Sequence, residues 1–160
     1  LFFILIPRHI NRVESIKKLF FDYKIEIAIR SKNNNFLNRK KFLLVDTFGE
    51  LGTFFKFTDI AIVGGSFASK GGHNPIETYH FNCALVFGPH MYNFEDITSK
   101  IIKTNGGFIA KDAIDLEKKI SFLLNNPKKL NSTIINFKKF CNEESKKANS
   151  IFQKLKPFID

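Results

Sequence analysis

Apolar residues in this chain come in short unbroken runs, separated by polar and glycine-containing segments. Leu1–Ile6 is an unbroken apolar run closed by Pro7, the pattern of a strand covered on both faces. Asn11-Arg-Val-Glu14 has the spacing of a capping box and predicts a helix to about Tyr23. Further short strands are predicted at Ile25–Ile29, Phe42–Val45, Ile60–Val63, Ala84–Phe87 and Gly107–Ala110. Helices are predicted from Thr47 to about Phe57, from Asn74 onward, from about Phe94 to Lys103 and from Asp112 to about Leu124. Asn126-Pro127 reads as N-cap and first residue of a long last helix. Ser31–Lys41 is polar and Asn-rich, and reads as a loop.

Strands alternating with helices of this length are βαβ units. They predict an α/β fold, a Rossmann-like parallel sheet with helices on both faces. At 160 residues the chain is long enough for one domain with a proper core, residues 1–160. Ligands in such sheets bind at the carboxyl ends of strands. The loops after strands one, three, four and five are therefore the candidates. They hold Pro7-Arg8-His9, Asp46 to Gly52, Gly64 to Glu77 and Gly88 to Asn93.

Composition narrows the class. Hydrophobic residues make up 44% and charged residues 25%, which excludes a disordered tail, a collagen-like chain and a coiled coil. With 20 Phe and no Trp, the core is expected to rest on Phe, Ile and Leu. Cys83 and Cys141 form neither metal-ligand spacing nor a disulfide framework, so a reducing cytoplasm is the default. The longest apolar run is far short of the roughly 20 residues of a bilayer span, and no signal peptide is recognisable. The chain opens at Leu1, already inside a core strand, and reads as part of a longer protein.

The net charge of +10 raises nucleic-acid and anionic-membrane readings. Its distribution changes the picture. Residues 1–46 carry 10 Lys/Arg against 4 Asp/Glu, residues 47–99 carry 2 against 5, and residues 100–160 carry 13 against 6. The glycine-rich loops thus lie in the acidic middle. The basic excess sits on helical patterns such as Lys138, Lys139, Lys146 and Lys147. A solvated helix face and attraction to a membrane surface both fit it. The Phe residues fall in apolar runs rather than between Arg residues, which disfavours nucleic acid.

Gly64-Gly65-Ser66 and Gly71-Gly72-His73-Asn74-Pro75-Ile76-Glu77 carry the most pointed chemistry. A glycine-rich loop allows close backbone approach, and a following helix N-terminus favours a phosphate. Asn74, Pro75 and Glu77 are also a good helix start in their own right. Thr47-Phe48-Gly49-Glu50 is open to both readings, cap or ligand contact. Arg8 fits a phosphate or base carbonyl, or a surface ion pair. His73 fits a donor to substrate or a structural histidine. No metal site is predicted, no cofactor is called for, and nothing resembles a Ser-His-Asp set or a nucleophilic cysteine.

Taken in order, Pro7-Arg8-His9, Val45-Asp-Thr-x-Gly-Glu-Leu-Gly52, Val63-Gly-Gly-Ser66, Gly71-Gly-His-Asn-Pro-x-Glu77, Gly88-Pro-His90 and Asn93-Phe94 resemble the C-terminal half of the 3-deoxy-D-manno-octulosonic acid (Kdo) transferases of lipopolysaccharide synthesis. The resemblance covers nearly the whole chain. It implies the C-terminal domain of a GT-B glycosyltransferase, binding a CMP-Kdo donor. It implies transfer of Kdo to the lipid A precursor, with inversion and without a metal, at the cytoplasmic face of the bacterial inner membrane. The implied donor contacts are Pro7 and Arg8, then Phe48, Gly49 and Glu50, then Asn74, Pro75, Ile76 and Glu77. Gly64, Gly65, Ser66, Gly72 and His73 complete the expected donor loop. The implied catalytic Glu and the acceptor surface belong to an N-terminal domain outside this chain. Ile10-Asn11 in place of a usual Pro-Glu, and Tyr79 and His80 in place of small residues, depart from the family pattern. A UDP-sugar transferase and a stand-alone nucleotide-binding module are the alternatives.

Overall fold

A computed structural model describes residues 1–32 and 40–156. Most of the expected Ser31–Lys41 loop lies outside the described residues. The fold is α/β, with parallel sheets flanked by helices, as the strand–helix alternation predicts. It divides into two compact units, Leu1–Phe54 and Phe55–Asp160.

The first unit contains β1 (Phe3–Leu5), α1 (Val13–Asp22), β2 (Ala28–Ile29), β3 (Phe42–Leu44) and the start of α2 (Leu51–Phe55). Its strands pair in parallel in the order β1-β3-β2. On one face Phe3 stacks on Phe42, and Phe20 of α1 meets Phe42 edge-on. On the other, Ala28, Leu43 and Val45 pack with Ile4, Ile6 and Phe54. Burial follows position in the sheet. The central β3 is buried at Leu43 and Leu44, whereas β1, at an edge, is only half-buried rather than covered on both faces.

Two expected features differ here. The Asn11–Glu14 capping box does not form: a 3-10 turn (Ile10–Arg12) leads into α1, and the cap position, Arg12, contributes no side-chain bond. Glu14 instead pairs with Lys17, one turn further on, at 2.6 Å. The second strand is also shorter than expected. Lys24 adopts φ 55°, and the N–H groups of Lys24 and Ile25 return to the carbonyls of Phe21 and Phe20. This helix-ending motif holds Ile25 out of the strand.

The second unit contains β4 (Ile60–Ile62), β5 (Ala84–Phe87), α3 (Glu95–Lys103), β6 (Gly107–Ile109), α4 (Ala113–Leu124) and α5 (Pro127–Leu155). Its sheet is parallel in the order β4-β5-β6. Leu85 and Phe87 point to one face, where Ile101 of α3 and Phe137 and Phe140 of α5 cover them. Ala84 and Val86 point to the other, against Leu123 of α4 and Leu130 and Ile134 of α5. Each of the large side chains contributes about 1.5–3 kcal/mol by leaving water. Asp112 caps α4 by accepting from Asp115 N–H at 2.8 Å, as expected. Asn126 stands at the cap position of α5, but its amide donates to the Phe122 carbonyl in the last turn of α4 and does not cap α5.

Cys83 and Cys141 are buried in the first of these clusters, and burial pushes each thiol up to about 11. Both are inert packing residues. Among the described residues no helix is long and apolar enough to cross a membrane.

Candidate functional site

In the first unit the candidate residues sit just past β1 and β3. Pro7 is half-buried and Arg8 is exposed. Among the described residues, Arg8 forms no ion pair, so the surface-pair reading finds no partner. After β3 the chain turns at Gly49, which has φ 79° and open space around it, and Phe48 stands 79% exposed at the tip. Glu50 is half-buried. Its Oε1 accepts from Arg30 Nε at 3.2 Å and Nη2 at 2.7 Å, and its Oε2 accepts from the Thr47 hydroxyl. The Thr47 hydroxyl and the Arg30 guanidinium hold the Glu50 carboxyl below the usual carboxylate range. The Thr47–Glu50 capping box is thus replaced by a side-chain network, because Arg30 draws the carboxylate away from the helix start.

In the second unit the loop after β4 is a closed hairpin of backbone. Gly72 N–H donates to Gly65 O at 3.3 Å and His73 N–H to Gly64 O at 3.0 Å, closing its neck. Its tip, residues 67–70, is exposed. Gly72 has φ 74°, a left-handed backbone that favours glycine, and a Cβ there would lie 2.2 Å from Met91 Sδ, so the methionine would have to shift as well. The His73 ring, half-buried, lies over Gly64, with Nδ1 3.1 Å from where a Cβ would stand.

The loop after β5 braces this hairpin. Ser66 is fully buried; its hydroxyl donates to Val63 O at 2.5 Å and accepts from Gly88 N–H at 2.7 Å. His90 N–H donates to Ser66 O at 2.9 Å and Asn93 N–H to Gly71 O at 3.2 Å. Tyr92 Oη reaches Ser69 O at 3.1 Å, and Asn93 Nδ2 reaches Lys70 O at 3.3 Å. Gly88-Pro-His90 and Asn93 therefore act on the glycine-rich loop, holding its shape.

The expected helix from Asn74 is not there. Pro75–Thr78 is a single 3-10 turn, capped by Asn74 Oδ1 accepting from Ile76 N–H at 3.0 Å. One such turn has too few aligned peptides to supply a helix-dipole anion site. Pro75 is buried and Ile76 packs on the core, so these two side chains anchor the turn. Glu77 is exposed. Its carboxylate does not bond back to the Asn74 N–H, and among the described residues it has no side-chain partner.

No protein-family model matches the chain. It is 34% identical over 160 residues to the 3-deoxy-D-manno-octulosonic acid transferase of Rickettsia typhi, across 99% of this chain and 34% of that protein. The Haemophilus influenzae protein of the same name is 33% identical over 127 residues, across 79% of this chain and 30% of that one. The fold matches the crystal structure of the C-terminal CMP-Kdo binding domain of WaaA from Acinetobacter baumannii with a TM-score of 0.81. That match has 27% identity and covers 86% of this chain and 72% of the other. Over nearly its whole length this chain is similar in sequence to the C-terminal part of the fold shared by these Kdo transferases. It spans about a third of the length of the curated relatives it matches.

The motif order was legible, and the resemblance to Kdo transferases drawn from it is borne out. Two supporting residues, Arg30 and Tyr92, were not singled out by sequence. Arg30 immediately follows the short β2, and counting that strand among those whose carboxyl ends carry ligands would have found it. Tyr92 carries no local signal, because its partner is a main-chain oxygen 23 residues earlier; Asn93 stood in the motif order, but its bracing role did not, since its partners are main-chain oxygens of Lys70 and Gly71.

Proposed function

We propose that this chain is the donor-binding half of a Kdo transferase of lipopolysaccharide synthesis, with CMP-Kdo as its ligand. The observation that carries the reading is the match over 86% of the chain to a CMP-Kdo binding domain. In the first unit the proposed donor contacts are Pro7, Arg8, Phe48, Gly49 and Glu50. In the second they are Gly64, Gly65, Gly72, His73, Asn74 and Glu77, with Ser66, Pro75 and Ile76 contributing through the main chain. In the first unit Arg8 offers a positive charge for the donor phosphate. The longer protein is proposed to transfer Kdo to the lipid A precursor at the cytoplasmic face of the inner membrane, with inversion and without a metal. The general base that takes the acceptor proton and the acceptor surface are assigned to an N-terminal domain outside these residues. Residues 1–160 are read as one nucleotide-sugar-binding domain.

A calorimetric nucleotide panel tests this. CMP is expected to bind more tightly than UDP, UMP or ADP; tighter binding of UDP would assign the chain to a UDP-sugar enzyme instead.

Glu77 supplies a finer test. An exposed carboxylate near a bound phosphate is repulsive unless it points elsewhere, and a ribose diol offers two donors to its two oxygens. Glu77→Gln is expected to leave stability within roughly 0.5 kcal/mol, as for other surface changes. It is expected to weaken CMP by about 1–2 kcal/mol, as charged hydrogen bonds become neutral, and to leave 2′,3′-dideoxy-CMP unaffected. Equal losses for both nucleotides would remove the ribose role.

A further inference from the structure

We infer that Arg30 is a positioning residue for donor binding, acting through Glu50 to hold the loop from Thr47 to Glu50 in its binding shape. The inference rests on the CMP-Kdo reading of that loop. The Arg30 N–H donates to Leu44 O at 2.9 Å, so its main chain is tied to the end of β3. Its guanidinium then reaches Glu50 Oε1 through two nitrogens, at 3.2 and 2.7 Å. The neighbouring Ser31 grips the other end of the same loop, donating to Asp46 Oδ1 from its N–H at 2.9 Å and to Oδ2 from its hydroxyl at 2.5 Å. Two consecutive residues at the end of β2 thus clamp both ends of a loop whose tip, Phe48-Gly49, stands in solvent.

The chemistry of the clamp is specific. A carboxylate offers about four acceptor positions, and Arg30 and Thr47 fill three of them on Glu50. Glu50 is consequently fixed in orientation, with one acceptor position on Oε2 left for a ligand. A loop ordered before binding loses less freedom on binding, which raises affinity without adding a contact. Lysine replaces the arrangement only in part, because an ammonium keeps the charge but lacks the planar fork that places two donors on one oxygen.

The test is CMP titration of the chain and of Arg30→Ala, Glu50→Ala and the double variant, with amide hydrogen exchange of residues 47–51 in the absence of ligand. Arg30→Ala is expected to weaken CMP about five- to tenfold and to speed exchange in the loop. In the Glu50→Ala background the same change is expected to cost less than twofold. Arg30→Lys, which keeps the charge and guards against a folding defect, is expected to lose two- to threefold. If the parent chain binds no CMP, the donor reading and this inference fall together. If it binds and Arg30→Ala binds equally well, or loses as much without Glu50, the inference alone falls.

Discussion

Gly88→Ala is expected to destabilise the second unit by about 3–5 kcal/mol and to abolish its nucleotide binding at ordinary temperature. A Cβ at position 88 would stand 2.2 Å from Ser66 O, 2.5 Å from Ser66 C and 2.7 Å from Phe67 N. All three are backbone atoms, so no rotamer change relieves the clash. The loop would have to move, and Ser66 cannot move cheaply. It is fully buried, and its hydroxyl joins Val63 O to Gly88 N–H, while its carbonyl accepts from His90 N–H. Overpacking costs about 1–3 kcal/mol, and each buried polar group left unpaired adds about 1–3. Against a typical stability of 5–15 kcal/mol that is a large share. Urea unfolding should show a lower midpoint with an unchanged slope. Gly49→Ala is the contrast: its φ is positive, at 79°, as that of Gly88 is not, and nothing lies within 4 Å, so its cost is the left-handed backbone alone, about 1–2 kcal/mol. Equal stability of Gly88→Ala and the parent would mean that the two loops do not cross this closely.

How much of this was legible in the sequence depended on the range of the forces involved. Ala84–Phe87 was placed to the residue, because a central strand must be apolar on both faces and its four residues are wholly buried. The capping role of Asp112 was legible because its partner, Asp115, is three residues away. The same local rule failed at Asn11–Glu14 and Thr47–Glu50. There a cation off the helix start, Lys17 in one case and Arg30 in the other, competes successfully for the glutamate. It failed again at Asn74, where the N-cap forms but buried Pro75 and core-packed Ile76 tie the chain to the unit after one turn. The carboxyl-end rule located the chemistry-bearing loops, since it depends only on strand order and direction. The bracing of the Gly64–Gly72 loop by Tyr92 and Asn93 depends on main-chain partners brought near by β5, and no spacing rule encodes that.

Arg8→Ala is expected to weaken CMP binding by about 1.5–3 kcal/mol, the worth of a charge-assisted hydrogen bond to an anion. At about 1.4 kcal/mol per factor of ten, that is roughly ten- to more than a hundredfold in Kd. Arg8 is exposed and immediately follows the half-buried Pro7, whose fixed φ limits the directions the next residue can take. Among the described residues no carboxylate competes for its guanidinium. It contributes to none of the core clusters, so the unfolding temperature should hardly change. Arg8→Lys should recover only part of the affinity, because an ammonium keeps the charge and loses the fork that matches two phosphate oxygens. Cytidine isolates the phosphate contribution: Arg8→Ala should leave cytidine binding unchanged, and the mutant should lose most of the preference for CMP over cytidine. Raised salt should weaken CMP binding to the parent more than to the variant, since a solvent-exposed charge pair is screened. An equal loss for cytidine and CMP would place Arg8 at the base or ribose instead of the phosphate. A lowered unfolding temperature with unchanged affinity would make it a structural residue of the loop after β1.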